Sequence, residues 1–118
     1  MAKLCLRKII CHKTDDAKEN DQVFDIGIED EPLLLVNHKR VWSGRMSPNS
    51  EEDLSEIQSI SFKDQVHMAL MERDPGYASI GDEVLGQTTI YAIQANSGEQ
   101  EINFNKTDSR YTIVYKVE

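Results

Sequence analysis

The sequence predicts an all-β protein, an antiparallel β-sandwich of about eight strands with little helix. Three observations carry that expectation. Apolar residues recur with a period of two along several short runs, as Phe24, Ile26 and Ile28 do against Val23, Asp25 and Gly27, which is the pattern of a strand with one buried face. Polar or turn-forming segments separate the runs. No stretch of comparable length carries the stripe of an amphipathic helix, and strands without crossover helices pair antiparallel.

Each element follows in order. Residues 4–11 form a first apolar run, and the segment from Thr14 to Asp21 behind it holds no apolar residue larger than alanine. Residues 23–28 make the next strand, and residues 33–42 a longer one closed by Val41 and Trp42, with Trp42 packing in or beside the core. Residues 43–56, with Gly44, Pro48 and Asn49, read as the longest irregular and flexible piece. Within it Ser50-Glu51-Glu52-Asp53-Leu54 offers a single helical turn with Ser50 as its cap. Residues 57–62 follow, and then Val66, Met68 and Leu70 alternate with His67 and Ala69. Asp74-Pro75-Gly76 and Asn96-Ser97-Gly98 are turn sequences flanking a strand at 84–91. Ile102 and Phe104 precede a tight hairpin at Asp108-Ser109, and Tyr111, Ile113, Tyr115 and Val117 form the last strand. Phe24, Ile26, Met68, Leu70, Leu85, Ile113 and Tyr115 are the expected core.

Composition bounds the function. The 118 residues suit one domain over 1–118, and 39% hydrophobic with 29% charged residues is ordinary for a globular chain. The net charge of −8 disfavours nucleic acid and bare anionic lipid as partners and favours cations. No apolar run approaches the ~18 residues of a membrane helix, so no transmembrane segment is expected, and the charged start interrupts any signal-peptide core. On one strand Cys5 and Cys11 would stand about 20 Å apart, beyond the ~7 Å that a disulfide spans. Two free thiols suit a reducing, cytoplasmic location. Cys11 reads as a core cysteine and His12 as a surface histidine, because neighbours on a strand face opposite ways.

Enzyme motifs are missing: there is no Gly-x-Ser-x-Gly elbow, phosphate-cradling glycine loop or His-Glu-x-x-His pair, and a noncatalytic protein is expected. Asn105-Lys106-Thr107 matches a glycosylation acceptor but reads as a chance triplet in a chain without a signal. One constellation rises above this background. Glu72 and Asp74 end one strand and Asp82 and Glu83 begin the next, so that four carboxylates and Arg73 border one loop with a net charge of −3. Calcium takes six to eight oxygen ligands and needs several carboxylates, which such strand ends supply. Asp15, Asp16 and Asp21 furnish an opposite wall if the sandwich brings both loops to one end. Solvated acidic loops that serve solubility are the competing reading, and Gly86 then serves a bulge or a close strand approach.

From Leu4 to about Ala92 the chain resembles the C2 domain, the eight-stranded calcium- and phospholipid-binding sandwich. Leu70-Met71-Glu72-Arg73-Asp74 and Asp82-Glu83-Val84-Leu85-Gly86 are similar to the family's apolar strand with Asp-x-Asp and to its Asp-Asp-Phe-Ile-Gly ending. Asp15, Asp16 and Asp21 ahead of Val23-Phe24-Asp25-Ile26 resemble its first calcium loop. Glu72 stands where the family has Asp, the loop from Asp74 to Asp82 is longer, and no Asp-Pro-Tyr is present. His38-Lys39-Arg40 is a faint counterpart of the family's polybasic strand. The resemblance implies a binding module with calcium in its acidic loops and a lipid head group or a protein as partner. The alternative is a metal-independent structural or protein-interaction sandwich using residues 43–56 and its strand edges.

Overall fold

A computed structural model describes residues 1–13, 30–72, 83–106 and 109–118. The described chain forms nine strands in two antiparallel sheets. They are β1 (Ala2–Lys13), β2 (Pro32–Val36), β3 (Lys39–Ser43), β4 (Ser50–Asp53), β5 (Ile60–Phe62), β6 (Gln65–Glu72), β7 (Glu83–Tyr91), β8 (Gln100–Asn105) and β9 (Arg110–Val117). One sheet runs β4-β1-β9-β8 with β5 also on β1, and the other runs β3-β2-β6-β7. Helix among the described residues is confined to a 3₁₀ turn at Ala92–Gln94.

The long strand β1 organises the first sheet. Its first residues pair with β5 and its later residues with β4, while β9 lies along its whole other side. A register shift between Leu6 and Lys8 changes the phase of the alternation, so Leu4 and Leu6 point inward before it and Ile9 and Cys11 after it. Cys5 therefore sits on the outer side while Cys11 is fully buried, and both thiols are free.

Two expectations are corrected in the middle of the chain. Residues 33–42 are not one strand but the hairpin β2–β3, turned by Asn37 and His38 at φ of 51° and 68°. Two consecutive left-handed residues make the tight turn whose twist suits a hairpin, and asparagine accepts that conformation more readily than most residues. The turn is tied to β6, because Asn37 N–H donates to the His67 carbonyl at 2.8 Å and Asn37 Oδ1 accepts from His67 N–H at 3.0 Å. Residues 43–56 are neither a loose loop nor a helical turn. They hold β4, which pairs with Lys8 through Cys11, and they bury Met46 and Leu54 in the core. Ser50 caps no helix: its hydroxyl donates to the Ser47 carbonyl at 2.6 Å. The run at 57–62 is strand only over Ile60–Phe62.

Met68, Leu70, Leu85, Ile113 and Tyr115 are all buried, together with Leu4, Ile9, Leu34, Ile90 and Tyr111. Each large apolar side chain so enclosed contributes about 1.5–3 kcal/mol. Trp42 is half-buried against this cluster, and a Cβ at Gly44 would lie 2.8 Å from its ring. Gly86 answers to both a bulge and a close approach. The β6–β7 register slips between Leu70 and Met71, and a Cβ at Gly86 would lie 2.3 Å from the Phe104 ring of β8. Asn96 and Gly98, at φ of 65° and 84°, form the expected turn before β8. Lys106 N–H donating to the Ser109 carbonyl at 2.8 Å closes the β8–β9 hairpin. The strand expected at 23–28 with Phe24 and Ile26, the Asp74-Pro75-Gly76 turn and Asp108 lie outside the described residues.

Candidate functional site

Glu72, the last residue of β6, stands directly opposite Glu83, the first of β7. Like charges facing across a ladder repel, so this pairing needs compensation. Glu83 finds it in the ammonium group of Lys106, which follows β8. The other candidate ligands, Asp15, Asp16, Asp21, Asp74 and Asp82, lie outside the described residues.

The strand ends from which the acidic segments leave can be followed through the register. Glu83 faces Glu72, and Glu72 faces Pro32, where the chain returns into β2. Lys106 joins Glu83 to the β8–β9 hairpin, and there Arg110 is paired with Asn105 on one side and Lys13 on the other. Lys13 is the end of β1. Lys13, Pro32, Glu72 and Glu83 thus stand at one end of the sandwich.

Just inside that end is a feature the sequence did not disclose. Asp30 is completely buried although it sits in the run Glu29-Asp30-Glu31. Its backbone exchanges both hydrogen bonds with Met46, at 2.9 and 3.0 Å, and its Oδ2 accepts the Tyr111 hydroxyl at 2.7 Å. Tyr111 faces Cys11 across β1 and β9, so carboxylate, phenol and thiol share one interior corner. Burial, with the Asp30 carboxylate as its second cause, drives the Tyr111 ionisation far above the usual tyrosine range. Burial likewise pushes the Cys11 thiol up to about 11. Both groups stay protonated at neutral pH, which makes Cys11 inert and Tyr111 a fixed donor to Asp30.

A surface groove of about 490 Å³ lies elsewhere, between β1 and β4, and is lined by Arg7, Lys8, Glu51, Glu52, Asp53, Ser55 and Glu99. Both of its cations are paired, Arg7 with Glu99 at 3.3 Å and Lys8 with Glu51 at 3.7 Å, and the groove is acidic on balance. Asp53 accepts from the Ser55 hydroxyl and N–H at 2.6 and 2.8 Å, and these bonds hold its carboxyl below the usual carboxylate range. Such exposed pairs contribute little and leave no converging unmatched donor set. His38 and His67 stack with ring centroids 5.4 Å apart, and His67 Nε2 bonds Gln87 Oε1 at 3.0 Å. Among the described residues no group of three or more His, Cys, Asp or Glu side chains is arranged to hold a metal ion, and no helix is long and apolar enough to cross a membrane. Compared with known protein families and with curated proteins, the chain matches none of them.

Proposed function

We propose that the chain is a noncatalytic, C2-like binding module that takes a calcium ion among the acids at one end of the sandwich and thereby engages a protein or a lipid head group. The observation that supports this reading is that Glu72 and Glu83 are opposed at the same end of the sandwich as Lys13, the last residue of β1. Carboxylates are the hard oxygen donors calcium prefers, and Asp15, Asp16, Asp21, Asp74 and Asp82 supply the rest of the set in sequence. A bound calcium would offset their charge and make the end attractive to anions. Glu83 is the ligand with a competitor, since Lys106 already holds it. The free thiols Cys5 and Cys11 favour work in a reducing, cytoplasmic setting.

The Lys106–Glu83 pair also favours a second reading, a metal-independent interaction sandwich whose acids are matched internally. Its contact surface would be β3, β7 and β8, which are edge strands among the described residues, rather than residues 43–56, which hold β4 of the first sheet.

A calcium titration with chelator and magnesium controls separates the two. On the first reading calcium binds at roughly 10⁻⁴ to 10⁻³ M, more tightly than magnesium. At about 100 times its dissociation constant it raises stability by about 2.7 kcal/mol. Asp74→Asn removes most of that gain and leaves the calcium-free protein folded. An unchanged melting temperature in millimolar calcium would give the molecule to the second reading.

A further inference from the structure

The outer face of the five-stranded sheet carries a polar depression of about 280 Å³, away from the core and lined by His12 of β1, Asn103 and Asn105 of β8, and Arg110 and Thr112 of β9. The ladder brings them together. Asn103 lies opposite Thr112 and Asn105 opposite Arg110, and alternate residues of one strand share a face about 6.6–6.8 Å apart.

Hydrogen bonding orients the group. Thr112 Oγ1 donates its single proton to Asn103 Oδ1 at 2.6 Å, so it can only accept from His12 Nε2 at 2.9 Å. Among the described residues the Asn103 carbonyl oxygen is taken by Thr112 and the Asn103 amide N–H₂ is left for another partner. With the Asn105 amide and the Arg110 guanidinium, three separate donor groups border one depression. Among the described residues no carboxylate lines it, in a chain with 21 acidic residues, and Arg110 makes no ion pair with any of them.

We propose that this depression is a phosphate-binding site. A guanidinium fork alone satisfies the two oxygens of a carboxylate, whereas amide donors on a neighbouring strand suit the additional oxygens of a phosphate group. Among the described residues no Phe, Tyr or Trp lines the depression to stack on a sugar, and the one ring there, His12, is bonded to Thr112. The depression stands at the same end of the sandwich as Glu83 but, among the described residues, uses none of the candidate calcium ligands, so the proposal does not rest on calcium binding.

The experiment is an amide NMR titration with sodium phosphate against sodium chloride at matched ionic strength. Phosphate, and not chloride, should shift the Asn103 and Asn105 side-chain amides and the His12 and Arg110 backbone amides along one saturable curve. Arg110→Gln should weaken binding about tenfold or more, the weight of one charge-assisted contact. Asn105→Asp sets a carboxylate in the depression at constant size and should weaken it similarly, which keeps the test decisive if the arginine variant does not fold. A parallel arm uses phosphatidylcholine vesicles containing phosphatidic acid. Vesicle binding lost in Asn105→Asp would assign the phosphate to a lipid head group, and binding of free phosphate alone would assign it to a soluble molecule. No response in either arm, or equal affinity in wild type and both variants, overturns the proposal.

Discussion

At the scale of single residues, Gly86 and Tyr111 are the positions where one atom decides most. A β-carbon at Gly86 has no room beside the Phe104 ring, so Gly86→Ala should cost about 1–3 kcal/mol by forcing the two sheets apart locally. Pairing it with Phe104→Leu should cost less than the sum of the single changes, because both report one contact. Additive denaturation midpoints would mean that the two side chains do not meet. Removing the Tyr111 hydroxyl takes one hydrogen bond from the buried Asp30 carboxylate, and Tyr111→Phe should cost about 1–3 kcal/mol despite conserving nearly all the apolar surface. Asp30 was illegible in the sequence because a run of three acids has the signature of solvated loop. Its pairing with Met46, sixteen positions on, and with Tyr111 on the last strand helps to draw it inside.

At the scale of elements, alternation made strands legible wherever one face is buried and the run is continuous. Tyr111, Ile113, Tyr115 and Val117 are such a case, as are Val66, Met68 and Leu70. It failed where the signal is carried by the partner. The exposed four-residue β4 has no apolar period of its own and is a strand because β1 offers it a ladder. The hairpin β2–β3 was hidden by apolar residues on both sides of its turn, although Asn37 was the available cue. Leu54 gives the element-level test. If 43–56 were a loose loop, Leu54→Ala would be nearly neutral; packed as it is at 1% exposure, it should cost about 2–5 kcal/mol in chemical denaturation.

At the scale of the whole molecule, the interior corner of Cys11 and Tyr111 sets a limit on alkaline stability. Both groups hold their protons more tightly folded than unfolded. Unfolded cysteine and tyrosine ionise near ~8.5 and ~10, so above about pH 9 the unfolded chain has shed protons the native state keeps, and stability falls as pH rises. Below that window neither group contributes pH dependence. The melting temperature should therefore decline from about pH 9 upward, more shallowly in Cys11→Val, and a flat profile to pH 11 would contradict the burial of this corner. The acidic end was only half legible. Spacing marked Glu72 and Glu83, but that Lys13 stands at the same end follows from the order of the strands, which no local pattern encodes.

That strand order also has a mechanical side. Lys3 and Glu118 exchange backbone hydrogen bonds, N–H to carbonyl, at 2.7 and 2.8 Å, so the first and last strands meet antiparallel with their outer ends together. A load applied to residues 1 and 118 would open the β1–β9 ladder one bond at a time, like a zipper, instead of shearing all its bonds at once. Drawn in an optical trap by those two points, the protein should yield at far lower force than when held at residues 1 and 105, where the tension runs along the sheet.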